Sequence, residues 1–173
     1  MAVPFKAPVK DITFGYEVID SYNILNKISE FSDFSEDIVI PTMEECAKFS
    51  EEVLAPINAI GDQQGATIDN GVVKMPQEFV DAYKKFAEAG WASISLPEEI
   101  GGGGQPITLS GGTLEILSTA NLAFGLAPGL SAGAISAINF HGSQEQKDTF
   151  LPKLVSGEWL SLIHISEPTR QPC

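Results

Sequence analysis

The residues able to do chemistry in this sequence are few and scattered. Glu98 and Glu99 follow Pro97 and stand just before four consecutive glycines, Gly101 to Gly104. Paired carboxylates act as acid and base when their surroundings split their pKa values. Adjacent acids on a loop are more simply solvated, so neither is given a catalytic role. A glycine run lets backbone approach a ligand or a neighbouring domain closely, or forms a flexible surface loop. It lacks the Lys-Ser/Thr of a phosphate loop and no confident strand precedes it, so a nucleotide-phosphate role is not expected. His141 precedes Gly142 at a predicted helix end. It could move a proton near neutral pH, but a cation answering the helix dipole accounts for it. Cys46 and Cys173 are too few for a disulfide framework, and Cys46 reads as a small buried hydrophobe within a helical pattern. No second histidine stands before residue 160 and no cysteines cluster, so no metal site is predicted.

The elements that must position these residues are helical. Ile12, Tyr16, Ile19 and Ile24 predict a helix over 12–28. Ser35 is placed as the cap of a second helix running to about residue 54, with Val39, Met43, Cys46, Ala47, Val53 and Leu54 on its apolar face. Pro41 falls in its early turns and Pro56 bends or ends it. Residues 58–74 read as loop, with a turn at Asp69-Asn70-Gly71 and a short extended run at 72–75. Pro76 opens the clearest helix, whose Phe79, Val80, Tyr83, Phe86 and Ala87 share a face and which stops at Gly90. Thr108 or Ser110 caps a helix to about Asn121, and 121–128 is a break. Residues 130–140 are small and apolar nearly throughout and predict a helix buried on most sides. Ser143 with Gln146 forms a capping box for a last helix carrying Phe150, Leu151 and Leu154.

At 173 residues and 43% hydrophobic, the chain can build a real core. A net charge of −13 argues against nucleic acid and against an anionic membrane surface. No stretch reaches 18 apolar residues, so no membrane span is predicted. Met1 to Lys10 lacks the apolar run of a secretory signal. Low cysteine usage fits a reducing, cytoplasmic setting.

The order of several segments resembles one family. These are Glu51-Glu52-Val53-Leu54-Ala55-Pro56, then Gly90-Trp91 with Leu96-Pro97-Glu98-Glu99 and Gly101-Gly102, then His141-Gly142-Ser143. Gln146-Lys147 and Phe150-Leu151-Pro152-Lys153-Leu154 follow, leading to Gly157-Glu158-Trp159. Together they resemble the amino-terminal helical domain of the FAD-dependent acyl-CoA dehydrogenases. Phe5-Lys6-Ala7-Pro8 through Asp20 resembles the extension of a longer bacterial branch that includes enzymes similar to the 3-methylmercaptopropionyl-CoA dehydrogenases.

The resemblance implies an all-α fold: an extension over 1–34 and a helical domain over 35–159. It implies α,β-dehydrogenation of an acyl-CoA thioester, with FAD as hydride acceptor, an electron-transfer acceptor as partner, and a homo-oligomer when complete. It places the catalytic base in a carboxy-terminal bundle, so this stretch alone is expected to be inactive. It also places the glycine loop and the following helix along the acyl-chain cavity, which nominates Gln105, Leu109, Gly111, Gly112 and Leu114. Residues 160–173 change character and read as an adapter-derived, non-native tail. Were the tail native, Ser166 would be the flavin-contacting candidate. Two alternatives remain open at this point: a non-catalytic helical module that binds a partner protein, and part of an acyl-CoA oxidase.

Overall fold

A computed structural model describes residues 4–161. Among these the architecture is all-α apart from one hairpin. α1 spans Val9–Val18 and α2 Ser21–Leu25, with Asp20 between them in the left-handed region at φ 55°. The single helix expected over 12–28 is therefore broken. The break turns Tyr22 back toward Tyr16 and Phe34, whose rings lie 6.2 and 5.8 Å from its own. Val18 and Ile19 stay exposed, so a straight continuation would have had no apolar seat.

α3 (Glu36–Phe49) passes through a π turn at Ser50–Leu54 into α4, Ala55–Gln64. Ser35 occupies the cap position, but its side chain makes no capping hydrogen bond. Pro56 neither bends nor ends the helix. It stands at the start of α4, where the π turn has already re-registered the hydrogen bonds, so its missing N–H disturbs little. The loop expected over 58–74 shrinks accordingly to the stretch after Gln64. There β1 (Thr67–Asp69) and β2 (Val72–Lys74) pair antiparallel, with Ile68 opposite Val73. Asn70 and Gly71 both take positive φ, at 51° and 80°, as a tight hairpin of this twist requires.

α5 (Gln77–Glu88) follows the predicted helix, and Gly90 closes it at φ 73°. Phe79, Ala82 and Phe86 face the core; Val80 is exposed. α6 (Ile107–Ala120) and α7 (Leu122–His141) are joined by Asn121 alone, so the break expected over 121–128 does not form. The reason is Asn121 itself, which is 1% exposed. Its Oδ1 accepts the Phe124 N–H at 3.1 Å and caps α7, while its Nδ2 donates to the Leu54 carbonyl at 3.2 Å. α7 thereby gains a length and composition sufficient to cross a membrane, although only 28% of its most apolar window is buried, against the expectation of burial on most sides. It packs on α6 and on α8, Gln144–Val155. Ser143 and Gln146 make the capping box, and Phe150 is left exposed beside Trp159.

Two apolar clusters hold the helices. The larger joins Tyr16, Phe34, Val39, Met43, Leu54, Phe79, Phe86, Leu109, Ile116 and Phe124; the smaller joins Leu96, Ile135, Leu151, Leu154 and Val155. Tyr16 and Phe34, from the amino-terminal stretch, belong to the larger.

Candidate functional site

The glycine loop is neither a ligand cradle nor a free surface loop. The Gly101 N–H donates to the Glu98 carbonyl, Gly102 to Pro97, Gly103 to Ser93 and Gly104 to Leu96, all between 2.9 and 3.0 Å. A Cβ on Gly103 would lie 2.8 Å from the Ile94 oxygen, and one on Gly104 2.8 Å from the Glu98 Cγ. The glycines are needed because the chain folds back on its own backbone. Glu98 and Glu99 are exposed at its rim.

α6 starts after Pro106 and presents two unlike faces. Leu109, Gly112, Thr113, Ile116 and Leu117 point inward. Leu109 is fully buried, and Gly112 abuts Met43 of α3 and Ile12 of α1. On the opposite side Ile107, Gly111 and Leu114 recur at i, i+4 and i+7 and are all exposed. A Cβ on Gly111 would meet nothing within 4 Å. Gln105 is half-buried and lines a separate hollow of about 300 Å³ with Glu30, Phe31, Ser95 and Glu98. The five nominated residues thus fall in three places: Leu109 and Gly112 in the core, Gly111 and Leu114 on an open face, and Gln105 in a polar hollow. Ser166 lies outside the described residues.

α7 carries a longer open face. Leu122, Leu126, Gly129, Gly133, Ala137 and Phe140 follow helical spacing and are all exposed. The two helices touch closely at Ser118 and Gly125, where a Cβ on the glycine would lie 2.9 Å from the serine Oγ. Residue by residue, α6 and α7 contain one carboxylate, Glu115, and one imidazole, His141, at the very end. Such a face can hold an apolar chain but offers no acid–base pair. A second apolar hollow of about 500 Å³ opens among α4, α5 and α7, lined by Gly61, Met75, Phe79, Tyr83, Phe124 and Leu160 among others.

The perturbed groups lie elsewhere. Burial pushes the Tyr16 hydroxyl up to about 12, and that hydroxyl donates to the Thr108 carbonyl. Burial likewise pushes the Cys46 thiol up to about 12, holding it as an inert neutral group. Glu51 is held below the usual carboxylate range by its hydrogen bond from Lys6 and by the Ala7 N–H. None of these groups pairs with a second titratable group in an enclosed cleft. Among the described residues no three His, Cys, Asp or Glu side chains converge on a metal-sized space.

This arrangement and the residues that build it match a known domain. The sequence profile of the acyl-CoA dehydrogenase N-terminal domain fits residues 41–158. The chain belongs to the acyl-CoA dehydrogenase family. It is 37% identical over 164 residues to the 3-methylmercaptopropionyl-CoA dehydrogenase of Ruegeria pomeroyi, a match covering 95% of this chain and 28% of that protein. It is 29% identical to the butyryl-CoA dehydrogenase of Syntrophomonas wolfei, with 92% and 27% covered. The isovaleryl-CoA dehydrogenase of Bos taurus is 33% identical over 124 residues, with 70% and 27% covered. The chain therefore spans a little over a quarter of the length of these acyl-CoA dehydrogenases.

FAD, the cofactor that this family implies, finds no cradle in the glycine loop. Every N–H from Gly101 to Gly104 is already spent within the loop, so no free donor nest remains there for a pyrophosphate.

Proposed function

We propose that this chain supplies the apolar wall of an acyl-CoA binding crevice in a flavin-dependent acyl-CoA dehydrogenase. The observation that carries the reading is the exposed small-and-apolar character of both α6, at Gly111 and Leu114, and α7, at Leu126, Gly129, Gly133 and Ala137. Glycines on an otherwise apolar helix face leave room for an alkyl chain to lie along it. Leu109 and Gly112 support this face from beneath by fixing α6 on α3. Gln105 stands at the loop end of α6, where a polar group of the substrate would enter.

The reaction proposed is α,β-dehydrogenation of the thioester, with FAD accepting a hydride. The base and the flavin contacts would come from the part of the relatives' length that this chain does not span. The described residues alone would then be catalytically silent, because they hold no base and no hydride acceptor against a substrate. The electron-transfer acceptor, a homo-oligomeric state and a cytoplasmic setting belong to the same proposal. So does the division into an extension over 1–34, a domain over 35–159 and a non-native tail over 160–173.

The test is made in the full-length Ruegeria relative. A leucine at the position matching Gly111 should depress turnover of longer acyl-CoA thioesters and spare short ones. A tryptophan at the position matching Val80, which fills the hollow between α4 and α5, should leave chain preference unchanged. The opposite pattern would move the acyl chain to that hollow and refute the wall on α6 and α7.

A further inference from the structure

The π turn at Ser50–Leu54 sits mid-way along an otherwise continuous helix, and such turns are frequent at functional sites. Ser50 and Leu54 are fully buried on its inner side. Its outer side presents Glu51, whose Oε1 accepts the Ala7 N–H at 3.0 Å and whose Oε2 accepts from the Lys6 ammonium. These contacts join residues more than forty positions apart. The segment they hold, residues 4–8, has no regular structure of its own. Phe5 and Ala7 lean on the core while Lys6 is exposed.

We infer that residues 4–8 form a strap latched by Glu51, and that this strap opens as a unit without unfolding the core of α3 to α6. The π turn aims the latch. One extra residue within a helix rotates whatever follows by about 100°. The turn lets Leu54 stay inside while Glu51 faces the strap. What the strap controls is α1, which begins at Val9. α1 lies over the inner face of α6 through Ile12 against Gly112 and through the Tyr16 hydroxyl on the Thr108 carbonyl. An open groove of about 470 Å³ already separates α1 from α6. Residues 4–8, before Val9, have no helix or strand of their own, and such segments belong to the low-stability end of a molecule.

Amide hydrogen exchange on the whole chain tests this, with Ala7 as the direct reporter. Glu51→Ala removes both acceptors and should speed exchange over residues 5–12 by about fivefold, as loss of the Ala7 hydrogen bond does, since the exposed Lys6 pair adds little. Glu51→Gln keeps a carbonyl oxygen for the Ala7 N–H and should stay within about twofold of wild type. Exchange of the Ile116 and Leu117 amides of α6 should not change in either variant. Unchanged Ala7 exchange in Glu51→Ala would overturn the latch. So would an acceleration shared equally by α6, since Glu51 would then support the fold at large.

Discussion

Gly111 and Gly112 are neighbours on α6 and should respond to the same substitution with opposite signs. An alanine in a helix interior is favoured over glycine by about 0.5–1 kcal/mol. At Gly111 nothing offsets this gain, because the new Cβ meets no atom within 4 Å. Gly111→Ala should therefore stabilise by about that amount. At Gly112 the new Cβ would overlap the Met43 methyl and come within 3.2 Å of the Met43 Sδ and the Ile12 Cγ2. Met43 is 0% exposed, so its flexible end must repack among core neighbours. Overpacking of this kind costs about 1–3 kcal/mol, which outweighs the propensity gain. The two variants should differ by about 1–3 kcal/mol, or several degrees in melting temperature for a chain of this size. Urea unfolding followed by circular dichroism at 222 nm reads both midpoints. Equal shifts of the same sign would mean that α6 is rotated from the orientation described, and would remove the distinction between its buried and open faces.

Three further outcomes follow from single residues. Asn121→Ala strips the cap of α7 and removes the side-chain hydrogen bond to the Leu54 carbonyl, so it should lower stability by about 1–3 kcal/mol in the same urea assay. Cys46, with its thiol pushed up to about 12, should resist iodoacetamide at pH 8 in a Cys173→Ser background and react only as fast as the chain opens. The folded-state pKa of Glu51 lies below its unfolded value, so its contribution is present above the unfolded pKa and fades as pH falls through the folded one. The stability difference between wild type and Glu51→Gln should accordingly narrow in acid, below about pH 4, and a pH-independent difference would contradict the Lys6 and Ala7 contacts.

Local signals carried much of the helical architecture. The Ser143–Gln146 box and the Asn70-Gly71 turn depend on residues within one turn of each other and form as their patterns predict, and the α5 face keeps Phe79 and Phe86 but turns Val80 outward. The connections were harder to read. Pro56 and Pro128 are strong breakers in isolation, yet Pro56 is absorbed in the first turn of α4 and Pro128 lies inside α7. Asn121 looks like ordinary loop material until its side chain is seen to span from α7 to the Leu54 carbonyl, 67 residues earlier. The Asp20 break depends on an aromatic partnership with Phe34 that no window of helical periodicity contains. For the site, spacing alone located α6 but not its rotation. Leu109 and Gly112 differ from Gly111 and Leu114 only in which neighbours the fold brings to them, and that depends on α1 and α3.

The tetraglycine segment bears on how relatives of this domain should be compared. Deep mutational scanning across residues 101–104 would find few tolerated side chains, because the backbone of Ile94 and Leu96 already occupies or crowds the space at Gly102 and Gly103, while Gly101 and Gly104 hold positive φ values of 90° and 62°. Invariance of those letters among relatives would then record self-avoidance by the polypeptide. It would not by itself mark a contact with flavin or thioester.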